Sequence, residues 1–306
     1  MDEAKTGWVD HSLNTGKVFT LAEWICSVAP RALLYRCVDL VMLWAAYSLK
    51  GPREAIRANL EVVKPDIGRQ ERNRLARQTF RNYGRCVADY LRFSNRPEVP
   101  MDYLFSRISG LEQCLELLDE GKGLILAAAH LGNWELGGIT FSRYGYPINA
   151  LAIAEDDPEV EEMRLSKRTH RGVRTLYVGQ DLGTLFKVRD VLARNEVVAL
   201  LADRCHGRDR IEVEFFGRRT PMMRSPALVS RFTNTPIVPC AIMMDGEGRY
   251  ESVTSDPLMP LPGRINDEEC ARQTIQKLAR VFEGWISEYP DQWFNFYPYW
   301  GNGDRE

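Results

Sequence analysis

One of the four histidines, His130, directly follows the apolar run Leu124-Ile125-Leu126-Ala127-Ala128-Ala129. Such a run reads as a buried strand, and in open α/β sheets ligands and catalysis gather at the carboxyl ends of strands. The chain continues Leu131-Gly132-Asn133-Trp134-Glu135, which places a carboxylate five residues after the imidazole. On one continuous helix residues i and i+5 diverge by about 140°, so a facing pair needs His130 in a turn and Glu135 in the first turn of the next helix. Gly132 supplies that turn. In this arrangement Glu135 accepts a hydrogen bond from one ring nitrogen, fixes the tautomer and raises the basicity of the other, which takes a proton from a substrate hydroxyl. No phosphate-binding fingerprint competes with this reading: Gly137-Gly138 falls inside the helix, and no GxGxxG follows a strand. A Gly-x-Ser-x-Gly nucleophile elbow is also absent from the sequence.

A second group of chemically capable residues lies between Arg204 and Arg231. It holds Arg204, Arg208, Arg210, Arg218, Arg219, Arg224 and Arg231 against Asp203, Asp209, Glu212 and Glu214. Guanidinium groups bind phosphate and carboxylate in planar, bidentate fashion, so this cluster suits the phosphates of a glycolipid, of coenzyme A or of a carrier protein's pantetheine arm. Taken singly, each arginine is as well explained by a surface ion pair worth about 0–1 kcal/mol. His170 and His206 read as surface residues. The seven cysteines form no CxxC pair and no Cys/His cluster with metal-ligand spacing, so no metal site is expected and they read as reduced, buried, small apolar residues.

These residues must be positioned by a chain of 306 residues with 44% hydrophobic and 27% charged residues, the balance of an ordinary globular protein. The formal net charge of -2 excludes a protein that coats nucleic acid. It conceals a basic segment, for Lys50 to Arg96 carries 12 Lys/Arg against 5 Asp/Glu. The first residues lack the basic and apolar regions of a signal peptide, which places the bulk of the chain in the cytoplasm. Leu21 to Leu49 is the most apolar stretch, but its longest uncharged run, Leu40 to Leu49, has ten residues. A spanning helix needs roughly 20, so this stretch reads as an interfacial or partly buried helix. Arg69 to Phe93 carries one apolar stripe at helical period, with arginines on its other faces that suit either solvent or an anionic lipid surface.

Beyond Asn95-Arg96-Pro97, short aliphatic runs alternate with amphipathic segments. Buried strands are expected at Gly123 to Ala129, Ile148 to Ala154, Val197 to Ala202 and Ile237 to Met243, with an edge strand at Tyr250 to Thr254. Helices are expected near Leu111 to Asp119, Trp134 to Tyr144, Pro158 to His170, Leu182 to Arg194, Ser225 to Phe232 and Asp267 to Tyr289. This alternation predicts an α/β fold, a mostly parallel sheet flanked by helices, with an N-terminal helical cap. The organisation read from it is a tail at 1–20, an amphipathic helical membrane-associated region at 21–96 and an α/β catalytic domain at 97–306.

The word Ala129-His130-Leu131-Gly132-Asn133-Trp134-Glu135 resembles the HxxxxE block of the bacterial lipid A biosynthesis acyltransferase family, in the lysophospholipid acyltransferase-like superfamily. Similar words recur along the chain, among them Phe80-Arg81-Asn82-Tyr83-Gly84, Arg168 to Gly172, Ala202-Asp203, Phe215-Phe216-Gly217 and Tyr289-Pro290-Asp291-Gln292-Trp293. The resemblance implies O-acyl transfer at the cytoplasmic face of the bacterial inner membrane, from an acyl carrier protein or coenzyme A thioester to a hydroxyl of a lipid A precursor or similar membrane glycolipid. It implies His130 as base, Glu135 as the residue that orients it, and no metal or prosthetic group. Substrate contacts are assigned to Asn133, Arg168, Asp203, Arg204 and Arg218. Two departures, at Asp203-Arg204 and at Phe294-Asn295-Phe296-Tyr297-Pro298, admit other acceptors such as mannosylated phosphoinositides or polyene-type lipids. A thioesterase or lipid hydrolase using the same dyad is the alternative chemistry.

Overall fold

The computed structural model describes residues 16–93, 96, 99–153, 158–177, 183–205, 207, 209–262 and 267–300. The elements run α1 (Gly16–Val28), α2 (Arg31–Ser48), α3 (Lys50–Val63), α4 (Arg69–Phe93), a single turn α5 (Met101–Leu104), β1 (Phe105–Ile108), α6 (Leu111–Asp119), β2 (Leu124–Ala128) and α7 (Trp134–Phe141). They continue with β3 (Ile148–Ala152), α8 (Pro158–His170), β4 (Val173–Tyr177), α9 (Gly183–Ala193), β5 (Val197–Leu201), β6 (Ile211–Phe215) and β7 (Arg218–Met222). The last are α10 (Ser225–Thr233), β8 (Ile237–Met244), β9 (Tyr250–Thr254) and α11 (Glu268–Glu288).

Seven strands form one sheet in the order β1-β9-β8-β2-β5-β3-β4, parallel throughout except for the β8–β9 pair, and β6 and β7 form a separate antiparallel hairpin. The expected mostly parallel α/β fold is therefore present. The four aliphatic runs become β2, β3, β5 and β8, as near-continuous apolar strands suit a sheet covered on both faces. Alternate residues divide between those faces. Ile125, Ala127, Val198 and Ile237 pack with Val188 of α9, Ala227 of α10 and Ile275 and Phe282 of α11. Leu124, Leu126, Val197 and Val238 pack with Cys114 and Leu118 of α6.

Three expectations are corrected. β9 is interior, lying between β8 and β1, and the edge is taken by β1, whose Phe105-Ser106-Arg107-Ile108 has no aliphatic run to mark it. β4 and the β6–β7 hairpin, both short and interrupted by polar residues, had no counterpart in the sequence reading. Cysteine burial is uneven: Cys26, Cys86 and Cys114 are buried, Cys205, Cys240 and Cys270 half-buried and Cys37 exposed, all as free thiols.

The N-terminal apolar stretch divides at Pro30 into α1 and α2, because proline cannot continue α1 but is tolerated at the start of the next helix. No single described helix is long and apolar enough to cross a membrane, although α2 and α3, bent by 90°, pass that test together. The arginines of α4 mostly turn inward. Arg81 and Arg85 each approach Asp39 of α2 to 2.5 Å, Arg72 pairs with Glu61 of α3 at 3.1 Å, and buried Arg92 donates to the carbonyls of Cys26 and Ala29 at 2.7 and 2.6 Å. The α1–α2 surface is apolar instead, with Trp24, Leu40, Trp44 and Tyr47 more than 60% exposed. The helical region also locks onto the end of the chain: Asn59 of α3 donates to the carbonyls of Asn295 and Tyr297 and accepts from the Tyr299 amide.

Between β2 and α7 the backbone turns at Gly132, with φ of +65°, and passes so close to β8 that a Cβ there would lie 1.9 Å from the Ile242 carbonyl oxygen. Gly132→Ala is expected to destabilise the fold by more than the roughly 1–2 kcal/mol of the left-handed conformation alone. Gly138→Ala, at a helical position with nothing within 4 Å of the added atom, is expected to be neutral or stabilising by up to about 1 kcal/mol. Denaturant unfolding of the two variants measures both effects.

Candidate active site

β2 and β5 are parallel neighbours in the register Ala128 opposite Leu201, where both strands end. Two residues further along each chain, His130 and Asp203 therefore emerge side by side. His130 Nδ1 lies 2.6 Å from Asp203 Oδ1. An ionised carboxylate only accepts, so Nδ1 carries the hydrogen, and whenever the ring is neutral its lone pair lies on Nε2. Asp203 is completely buried, whereas the His130 side chain is 17% exposed. Burial alone would raise the Asp203 carboxyl. The charge and hydrogen bond of His130, with Arg204 and the Trp293 indole, instead hold it well below the ordinary carboxylate range.

The segment after α11 completes this arrangement. Trp293 Nε1 donates to Asp203 Oδ2 at 3.0 Å, and the Tyr299 hydroxyl donates to the Asp203 carbonyl. The His130 carbonyl accepts from the Phe294 amide at 2.8 Å, and the Gly132 amide donates to the Gln292 carbonyl at 2.9 Å. The Asn133 amide is held by the Ile242 carbonyl at 2.8 Å. Trp134 meets the imidazole edge-on at 5.3 Å. His130 thus sits on a loop fixed from both sides, by β8 and by the C-terminal aromatic segment.

Glu135 lies in the first turn of α7 as expected, but its carboxylate engages Arg168 near the end of α8, at 2.5 and 3.2 Å. The hydrogen bond expected between Glu135 and the imidazole is made by Asp203. The physical reason is the strand register, which brings Asp203 level with His130, while the cap at Asn133 starts α7 so that Glu135 in its first turn meets Arg168 of α8. Arg168, expected to contact substrate, is held by Glu135 in this structure; burial would lower its pKa, but Glu135 raises it, and the guanidinium stays charged in a half-buried ion pair.

The remaining assignments separate. Asn133 is buried and caps α7, its Oδ1 accepting from the Leu136 amide at 3.2 Å, while its amide group donates to the Cys86 carbonyl and the Tyr250 hydroxyl at 3.1 and 3.0 Å. With those partners it is a structural residue of the site. Arg204 donates to Asn295 Oδ1 and the Phe294 carbonyl, both at 2.9 Å, and covers the Tyr297 ring. It holds the aromatic segment beside Asp203. Arg218 is exposed at the start of β7. Arg210, Arg219 and Arg272 line a surface depression together with Glu212 and Glu268, so that acidic side chains are interleaved with the expected phosphate ligands. Arg208 and His206 lie outside the described residues, and His170 is exposed with Nδ1 on the Ser166 carbonyl. Among the described residues no group of three or more His, Cys, Asp or Glu is placed to hold a metal ion.

Asp203 is the residue whose role the sequence reading missed. The signal was present: His130 and Asp203 each stand directly after an aliphatic run, and the two runs pair.

Three relatives are phosphatidylinositol mannoside acyltransferases. That of Mycolicibacterium smegmatis (strain ATCC 700084 / mc(2)155) is 26% identical over 184 residues, 60% of this chain and 58% of the relative. Those of Mycobacterium tuberculosis are 25% identical over 83% of this chain and 79% of the relative (strain CDC 1551 / Oshkosh), and 27% identical over 63% and 59% (strain ATCC 25618 / H37Rv). The matched region thus spans less than two thirds of two of these relatives. Residues 15–302 match the profile of the bacterial lipid A biosynthesis acyltransferases, and the chain belongs to that family.

Proposed function

We propose that this chain transfers a fatty acyl group from an acyl carrier protein or coenzyme A thioester to a hydroxyl of a membrane glycolipid. The observation that carries this reading is the His130–Asp203 pair at the carboxyl ends of two central parallel strands, in a chain of this family. Nε2 takes the proton of the acceptor hydroxyl as its oxygen attacks the thioester carbonyl carbon. The new C–O bond forms, the C–S bond breaks, and the imidazolium returns the proton to the departing thiolate. Asp203 supports the positive charge on the ring during the step, so a depressed carboxyl pKa is what the chemistry asks for. The reaction balances with the two substrates and the imidazole, without a covalent enzyme intermediate. The names of the relatives favour a mannosylated phosphoinositide over a lipid A precursor as acceptor.

The surface of α1 and α2 supports a reading of attachment to the inner membrane. Trp24, Leu40, Val41, Trp44 and Tyr47 present aromatic and aliphatic side chains to solvent, with Arg36 and Lys50 exposed nearby. Since the α4 arginines are largely engaged within the fold, apolar insertion rather than a basic patch supplies most of the attraction.

Mass spectrometry of the lipid products tests the reaction. Incubation with an acyl thioester, mannosylated phosphatidylinositol and a lipid A precursor should yield an acyl ester on the mannosylated lipid. Free fatty acid released at the same rate with and without acceptor would make the protein a thioesterase. His130→Ala is expected to lower turnover by about 10²–10⁴-fold. Asp203→Asn should approach that loss, because an amide can donate to Nδ1 and stabilise the wrong tautomer. Glu135→Gln, which keeps an acceptor for Arg168, should lose less than Asp203→Asn; the reverse ranking would return Glu135 to the base.

The depressed Asp203 carboxyl also predicts a pH dependence of stability. A group with a lowered folded pKa stabilises above its unfolded value, about 3.9, and loses that contribution as pH falls below it toward the folded value. The stability gap between the wild type and Asp203→Asn should therefore be full at pH 7 and shrink below about pH 4; a gap that is constant from pH 7 to pH 2 would contradict the ionised pair.

For the membrane, sedimentation with vesicles should persist in 1 M salt and fall sharply in a Trp24→Ser, Trp44→Ser double variant. Complete release by salt would assign the attachment to charge instead.

A further inference from the structure

The loop that carries His130 is tied to the N-terminal helices by a chain of buried polar groups. Its centre is Asp89 of α4, which is completely buried. Oδ1 accepts from Arg31 Nε at 3.1 Å, and Oδ2 accepts from the other Arg31 nitrogen at 2.6 Å, from the Tyr35 hydroxyl and from the Tyr250 hydroxyl at 2.8 Å. Arg31 and Tyr35 belong to α2. Tyr250, itself buried, begins β9 and accepts from the side-chain amide of Asn133 at 3.0 Å. Asn133 caps α7 and lies three residues from His130. Arg31 also donates to the Gly248 carbonyl at 2.6 Å, which pins the turn before β9 to the same point.

We propose that Asp89 and Tyr250 are positioning residues for His130: through Asn133 they fix the catalytic loop to the apolar helix α2. The reading rests on the proposed role of His130 as base. Asp89 collects donors from two elements, α2 and β9, and Tyr250 passes the constraint on by donating to Asp89 while accepting from Asn133. A hydroxyl serving in both directions is oriented by each partner. A tether of this kind is more demanding than burial requires, because Phe at position 250 would fill the same space in the core with Phe105 and Leu136. A second contact runs in the same direction. Glu23 of α1 pairs with buried Lys167 of α8, next to the Arg168 that holds Glu135. The surface that meets lipid in the proposed function is thus connected on its inner side to the HxxxxE segment at Asn133 and, through Lys167 and its neighbour Arg168, at Glu135.

The test compares wild type with Tyr250→Phe, Arg31→Met and Arg31→Lys, reading kcat and KM for acyl transfer, hydrogen exchange of residues 131–137, and global unfolding. Tyr250→Phe and Arg31→Met are expected to lower kcat roughly tenfold with KM within twofold, since a small misplacement of a catalytic group lowers rate without weakening binding. Exchange of the Leu136 amide, capped by Asn133, should accelerate about tenfold while the central strands keep wild-type protection. Arg31→Lys, which keeps a charge for Asp89, should recover part of both effects. Unchanged kcat in both disruptive variants, or exchange that accelerates evenly over the whole chain, would overturn the proposal and leave Asp89 a residue of general stability. If the wild type itself transfers no acyl group, the proposed function falls; local acceleration at 131–137 then still supports the tether, and its absence removes it.

Discussion

A fully buried carboxylate is the constraint around which the site is organised. Asp203 leaves water at the end of β5, and an ionised group in that position is tolerated only when its lone pairs are met by donors. His130 meets one oxygen and the Trp293 indole the other. Those requirements draw in two distant parts of the chain: the loop after β2 and the aromatic segment after α11. Arg204, adjacent to Asp203, anchors that segment by its carbonyl and side-chain acceptors. Removing the charge would therefore loosen more than the imidazole.

The arginine-rich composition finds a structural use that charge counting could not assign. Arg31, Arg81, Arg85 and Arg92 join α1, α2 and α4, each reaching a carboxylate or carbonyl on a neighbouring helix. Their guanidinium forks suit such work because several donors leave one planar group in a fixed geometry. With charge directed inward, the outer face of α1 and α2 can remain apolar. A soluble helical cap ordinarily places its apolar stripe against the core and its charges outside, and this cap departs from that pattern on part of its surface.

Glu135 and Asp203 divide between them tasks that a single HxxxxE reading assigns to one residue. Asp203 touches the imidazole. Glu135, through Arg168, links the start of α7 to the end of α8. The half-buried pair neutralises Arg168 within the fold. The fixed loop between them owes its path to Gly132, where only a residue without Cβ can pass beneath the Ile242 carbonyl.

Much of the molecule was legible in the residues themselves. Continuous aliphatic runs marked the four central strands, amphipathic patterns marked α4, α6 and α8, and the position of His130 at a strand end marked the candidate site. These are local properties, set by side-chain volume, backbone preference and period. The short strands β1 and β4 and the β6–β7 hairpin were not legible, because their pairing partners rather than their composition make them strands. Nor could the residues alone decide which carboxylate orients His130. Glu135 is near in sequence, whereas Asp203 is 73 residues away. The parallel register of β2 and β5 brings the two strand ends level, and burial then leaves the imidazole as the partner that Asp203 cannot do without.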